Sequence, residues 1–165
     1  MKWVGDITYI RTWEGFVYLA TVLDCCTKKA VGYAMADNMR TDLICEAIDM
    51  AARRCPYTRG ETVFHSDRGC QYTSEQLARH LKGYDIRPSV GRTGVCWDNA
   101  WAESFNATLK NERVYQMVYP TRSKAIRDIA SWIELEYNQK RLHSALGYRT
   151  PNEVEEEHRA TRQAA

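Results

Sequence analysis

Three acidic residues of this chain stand where an ordinary soluble fold gives them little reason to be. Asp6 lies inside Trp3-Val4-Gly5-Asp6-Ile7-Thr8-Tyr9-Ile10, a run that reads as a buried central strand, where an unpaired carboxylate is expensive. It is either an exposed edge residue or a metal ligand. Asp67 closes the strand-like Thr62-Val63-Phe64-His65-Ser66 and precedes Arg68-Gly69. Carboxyl ends of strands collect ligand-binding groups in α/β sheets, although an aspartate before glycine is also a common turn former. Glu103 sits in Asn99-Ala100-Trp101-Ala102-Glu103-Ser104-Phe105-Asn106-Ala107-Thr108-Leu109-Lys110. At about 100° per residue, Asn99, Glu103, Asn106 and Lys110 fall within about 60° of one another, opposite Trp101, Phe105 and Leu109. A plain solvated face would share that pattern.

Taken together, the three acids make one chemical proposal. Hard divalent cations take oxygen ligands and keep waters and substrate phosphates in the remaining positions. Two such ions roughly 4 Å apart activate the attacking oxygen and stabilise the leaving one in an in-line displacement at phosphorus. Two or three carboxylates on a rigid sheet and a neighbouring helix suffice, and Lys110 would hold a phosphate beside them. Carboxylates brought together repel, so the set is expected to be loose without a cation. Oxygen ligands favour Mg²⁺ or Mn²⁺ over softer metals.

The elements that must position these residues are readable from their periodicity. Trp3 to Arg11, Phe16 to Asp24 and Lys29 to Met35 are β-branched and aromatic runs separated by short turns, which predicts an antiparallel meander. Thr41 to Arg54 switches to helical spacing, and Pro56 ends it. Glu61 to Ser66 is a fourth strand. Thr73 to Gln76 reads as a capping box that opens a helix to about Lys82, with Thr73 as the cap. Ile86 to Val90 is a fifth strand, Gly91 to Gly94 a flexible loop, and a long helix starts near Asp98. Beyond Pro120 a last helix is expected from Ser123 to Tyr137. The order predicts a mixed α/β architecture compatible with a five-stranded ribonuclease-H-like sheet flanked by helices. Residues 1–151 would form one catalytic core, and 152–165 a polar tail.

Bulk properties exclude several classes. A chain of 165 residues, 44% hydrophobic and 27% charged, is an ordinary globular composition. The longest apolar stretch, Val17 to Leu23, is too short to cross a bilayer, and no secretory leader is visible, so a cytoplasmic location is expected. The six cysteines (25, 26, 45, 55, 70 and 96) include no C-x-x-C pair and read as small buried side chains. Net charge is only +2, but residues 108–150 carry eight Lys/Arg against four acids, a modest basic footprint. No G-x-S-x-G, H-E-x-x-H or P-loop pattern is present.

Five segments in order resemble the retroviral-integrase-like core of bacterial insertion-sequence transposases of the insertion-sequence-three family. They are residues 3–10, Tyr18-Leu19-Ala20-Thr21-Val22-Leu23-Asp24, His65-Ser66-Asp67-Arg68-Gly69-Cys70-Gln71-Tyr72, Asp98 through Phe105, and Tyr137-Asn138-Gln139-Lys140-Arg141-Leu142-His143-Ser144 with its continuation to Pro151. Between Asp67 and Glu103 lie 35 residues, the spacing of that family's Asp-Asp-Glu triad, and Lys110 falls where the family places a basic residue. The resemblance implies a ribonuclease-H-like fold, two Mg²⁺ or Mn²⁺ ions on Asp6, Asp67 and Glu103, and cleavage and strand transfer on double-stranded DNA, both transposon ends and target, by a homo-oligomer. Lys110 and Arg92 are the residues it points toward DNA, Asn106 joins them from the polar stripe of the helix, and Arg141 and His143 match the family's terminal motif, for phosphate contact or packing.

Family members carry a DNA-binding region ahead of the core, whereas Met1 here stands five residues before Asp6. The expectation is a core that lacks recognition of specific ends. Two other readings stay open: a nuclease of the same fold that uses water as its nucleophile, and a non-catalytic regulatory or oligomerisation remnant. Joined products would separate the first from a transferase, and failure to bind metal would favour the second.

Overall fold

The computed structural model describes residues 1–91 and 100–163. Strands β1 (Lys2–Thr12), β2 (Gly15–Asp24) and β3 (Ala30–Ala36) form the antiparallel meander that the residue pattern predicts. Helix α1 (Thr41–Arg54) follows, then β4 (Val63–Ser66), α2 (Glu75–Gly83) and β5 (Arg87–Val90). Helices α3 (Ala100–Glu112), α4 (Arg122–Ser131) and α5 (Pro151–Gln163) complete the chain. The strand order is β3-β2-β1-β4-β5, with β4 parallel to both β1 and β5, so the sheet is mixed.

Both faces of the sheet are covered, which is why its central strands read as nearly continuous apolar runs. Alternation along β1 sends Trp3 to one face and Val4 and Ile10 to the other. Trp3 and Val22 join Leu43, Ile48, Phe64, Leu77 and Leu81 under α1 and α2. Val4, Ile10 and Leu19 join Phe105, Leu109, Ile129 and Ile133 under α3 and α4. Gly5 is dictated by packing: a Cβ there would lie 2.3 Å from the Phe64 ring, so only glycine lets that ring fill the space beneath the strand.

Three local features differ from the expected ones. Helix α2 is capped by Ser74, whose Oγ accepts from Leu77 N, because the Thr73 hydroxyl is turned back onto the Gly69 and Cys70 carbonyls. The last core helix stays regular only to Ser131 and then widens into a π turn, Trp132–Tyr137, where Asn138 N reaches back to Ile133 O. Residues 151–163 are helical, opened by a reciprocal box in which Thr150 Oγ1 accepts from Glu153 N and Glu153 Oε2 accepts from Thr150 N. This α5 docks through buried Val154 and a 2.7 Å Lys29–Glu155 ion pair.

The segment from Tyr137 to Pro151 acts as a clamp. Buried Asn138 donates to Ala30 O and accepts from Ala30 N, completing the start of edge strand β3, while the Tyr137 hydroxyl donates to Lys28 O. Among the described residues no helix is long and apolar enough to cross a membrane.

Candidate active site

β1 and β4 run side by side only through Lys2↔Val63, Trp3↔Phe64 and Val4↔His65. Carried on by two residues, the same register sets Asp6 beside Asp67 at the point where the strands part. The acid of β1 and the acid that ends β4 are therefore neighbours because of strand pairing, although 60 residues separate them in sequence. Helix α3 lies across the Asp6 face of the sheet, and its first turn carries Glu103.

Asp6 is half-buried, with Oδ1 accepting from Ile7 N at 2.9 Å and Oδ2 from Asn106 Nδ2 at 2.8 Å. Burial pushes its carboxyl up to about 6, and the charges of Asp67 and then Glu103 push in the same direction, while the two hydrogen bonds pull it down. All three acids thus share one electrostatic neighbourhood. Asp67 and Glu103 are exposed, and Asp67 Oδ1 also accepts from Gly69 N at 2.9 Å. The turn-forming and ligand readings of Asp67 are compatible in this geometry. Beneath them Tyr72 is buried against Phe64, its phenol pushed well up by burial and by the Asp6 and Asp67 charges.

Among the described residues no set of three or more His, Cys, Asp or Glu side chains is drawn close enough to grip a metal ion. The donor chemistry nevertheless suits one. The set is all carboxylate oxygen, which matches Mg²⁺ and Mn²⁺. Asp6 carries a proton affinity raised by burial and like charge, and a bound dication would reverse that.

The other residues singled out in the sequence divide sharply. Asn106, expected to face DNA, is 8% exposed and commits its amide to Asp6. Lys110 is half-buried, with Nζ 4.9 Å from the centre of the Tyr9 ring. Arg141 pairs with Glu112, nine residues past Glu103 and about 13 Å further along the helix at about 1.5 Å per residue. His143 packs edge-on against Tyr137 with ring centres 5.2 Å apart, so Arg141 and His143 belong to the clamp. Arg92, with the 91–94 loop beyond Gly91, lies outside the described residues, as do Asp98 and Asn99.

The helical wheel placed α3 slightly wrongly. Its buried face is Ala102, Phe105, Asn106 and Leu109, while Trp101 is 47% exposed under the Lys28 ammonium. That rotation is what turns Asn106 inward. Sequence reasoning also missed Tyr72 as the floor of the site, and buried Asp24, whose Asp-x-Cys-Thr setting is a turn signal.

Two profiles described as integrase core domain match residues 1–96 and 84–151. Transposase InsF for insertion sequence IS3A of Escherichia coli (strain K12) is 38% identical over 154 residues, covering 93% of this chain and 53% of that protein. The transposase for insertion sequence element IS904 of Lactococcus lactis subsp. lactis (strain IL1403) is 37% identical, covering 93% and 60%. The chain thus spans about half the length of the curated relatives it matches. Among solved structures, the catalytic core domain of BIV integrase aligns with a TM-score of 0.70 at 19% identity, over 98% of this chain and 97% of that one. The HTLV-2 integrase catalytic core domain in complex with magnesium, in a dimeric form, aligns at 0.68 and 16% identity, over 93% and 94%. The simian T-cell lymphotropic virus intasome aligns at 0.76 and 14% identity, over 93% and 53%. These likenesses fix the fold as ribonuclease-H-like.

Proposed function

The chain belongs to the integrase core domain family, and from that premise we propose that it is the catalytic core of an insertion-sequence transposase, cutting and joining DNA strands at Asp6, Asp67 and Glu103. The observation that carries this reading is the convergence of three carboxylates, brought from residues 6, 67 and 103, on one neighbourhood with Asp6 pushed up to about 6. Asp6 has two hydrogen-bond donors, and its charged neighbours are both acids.

Asp6, Asp67 and Glu103 are the groups that would hold one or two Mg²⁺ or Mn²⁺ ions. Ions held there would supply Lewis-acid stabilisation of charge at the phosphodiester. The chain's own residues set the geometry. Ile7 N and Asn106 Nδ2 fix the Asp6 carboxylate from opposite sides, and the Asp67 turn orients its carboxylate through Gly69 N. Lys110, two turns beyond Glu103 on α3, offers a cation to a phosphate flanking the one being cut. The substrates on this reading are double-stranded transposon ends and target DNA in the cytoplasm, and the working form is a homo-oligomer. The dimeric form of the HTLV-2 core and the simian viral intasome support assembly of this kind.

The test is cleavage and joining of a labelled DNA duplex with Mn²⁺, comparing the protein with Glu103→Gln. Activity that the substitution abolishes is the expected result, and joined products distinguish transfer from hydrolysis. A folded protein as inert as its variant would overturn the assignment for this chain.

A further inference from the structure

Three residues beyond Asp6 on β1, about 10 Å at strand rise and on the opposite face of the sheet, an aromatic ledge stands open to solvent. Lys110 of α3 reaches it past the edge that β1 leaves unpaired with β4 after Val4. Tyr9 is 56% exposed and Phe16 43%, and their rings meet edge to face with centres 5.2 Å apart. Tyr18 continues the row, 6.3 Å beyond Phe16. Register explains the row: Tyr9 faces Tyr18 and Arg11 faces Phe16, so these side chains share the sheet face that α1 and α2 cover further down. There Trp3 and Val22 are fully buried, whereas past the ends of those helices the face is bare. Paired exposed rings are not needed by the core, and patches of this kind mark binding surfaces.

The surroundings are cationic. The Lys110 ammonium lies over Tyr9, Arg11 is exposed beside it, and the Arg122 guanidinium donates to Phe16 O at 3.2 Å. Glu14 is the acid nearby, and it accepts from Arg122 N. Aromatic faces bordered by Lys and Arg are how proteins hold unpaired nucleic acid, with bases stacked on rings and phosphates on cations. An exposed cation–π contact is weaker than a stacked base. A base arriving at Tyr9 would therefore displace Lys110 from the ring and leave it free for that nucleotide's phosphate.

We propose that Tyr9 and Phe16 form a stacking ledge for one or two unpaired nucleotides flanking the phosphodiester held at Asp6, with Lys110 and Arg11 on their phosphates. This rests on the reading of the triad given above and adds a preference for frayed or overhanging DNA over blunt duplex.

The experiment measures binding of DNA that carries 2-aminopurine in a short overhang, read by fluorescence quenching and by anisotropy, against blunt duplex of the same sequence. The wild-type chain should quench the probe and favour the overhang. Tyr9→Ala with Phe16→Ala should abolish quenching and weaken overhang binding about five- to tenfold, the low end of stacking losses, with little change for blunt duplex. Tyr9→Trp should retain both signals. Circular dichroism checks folding, and Tyr9→Leu with Phe16→Leu keeps apolar area while removing the rings. Equal affinity for both DNAs, or full binding by the leucine variant, overturns the ledge even where cleavage still depends on Glu103. Overhang binding that needs the rings in a chain inert for cleavage upholds the ledge and removes the catalytic reading. If the alanine variant changes oligomeric mass and not DNA binding, the surface belongs to a second copy and the proposal fails.

Discussion

Asp6 and Asp24 are both acids on the first hairpin, and burial pushes both carboxyls up. Each accepts one backbone and one side-chain hydrogen bond, and what differs is the charge around them. Asp24, 3% exposed, closes the β2–β3 turn, accepting from Cys26 N at 2.9 Å and from the Thr27 hydroxyl at 3.3 Å. Its charged neighbours, His158 and Glu155, have opposite effects on it. Asp6 has one backbone and one side-chain donor, and its charged neighbours are two further acids. The difference separates two uses of a costly group. An acid supplied with turn donors holds the fold together. On the proposed reading, the acid crowded by acids is held for a cation.

The sharpest way to break that contrast is to remove each charge in turn. Asp6→Asn keeps the shape and both donors' proximity, so folding should survive, while the loss of a metal-holding carboxylate should cost several kcal/mol of transition-state stabilisation, roughly a thousandfold in strand cleavage. Single-turnover cleavage rates check it, and a drop below tenfold would remove Asp6 from the chemistry. Asp24→Ala should do the reverse. It strands Cys26 N and the Thr27 hydroxyl and should lower stability by about 1–3 kcal/mol in urea unfolding, with the cleavage rate per folded molecule unchanged.

A smaller effect tests the link between α3 and β1. Asn106→Ala should slow cleavage about fivefold, the kinetic equivalent of one hydrogen bond of about 1 kcal/mol, with Asn106→Asp worse because it adds a further acid. Equal rates for wild type and Asn106→Ala would show that Ile7 N alone orients Asp6.

A last test is in pH. Asp6 binds its proton more tightly folded than unfolded, rising from 3.8 to about 6. Between those values the native state carries the extra proton, so this group's contribution to stability falls as pH rises from about 4 to about 6 and then levels. Unfolding curves of wild type and Asp6→Asn should therefore diverge over that window in favour of the variant, and Mn²⁺ added above pH 6 should narrow the gap. Parallel curves would mean that Asp6 feels neither burial nor its neighbours.

Much of this was legible in the residues, and what was not has identifiable causes. The meander, α1 and the two parallel strands follow from runs whose periods leave few choices, and α1 has the expected ends of Thr41–Arg54. The three acids stood out by their positions and then by the family's spacing; strand pairing and α3 bring them into one neighbourhood. Ser74 and Thr73 are both competent caps, and only the Gly69–Cys70 turn decides between them. Asn106 looked like part of a wet stripe because a wheel gives relative angles, not the angle at which a helix lies on its sheet. Arg141 and His143 were open to phosphate contact or packing; in the fold Arg141 pairs with Glu112 and His143 packs on Tyr137. The π turn and the Asn138 clamp depend on Ala30, 108 residues away, and no local pattern could carry them.

The bond between Asn106 and Asp6 spans 100 residues, whereas the β1–β2–β3 meander closes within the first 36. Closing a long loop carries an entropy cost before its contacts give any return. As the chain leaves the ribosome, the meander can therefore form with Asp6 already on its strand, while Asp67 and Glu103 are still to be made. On the proposed reading, a core assembled in that order has no complete triad until Glu103 is made, and a product that ends before residue 103 would lack the capacity to cut DNA.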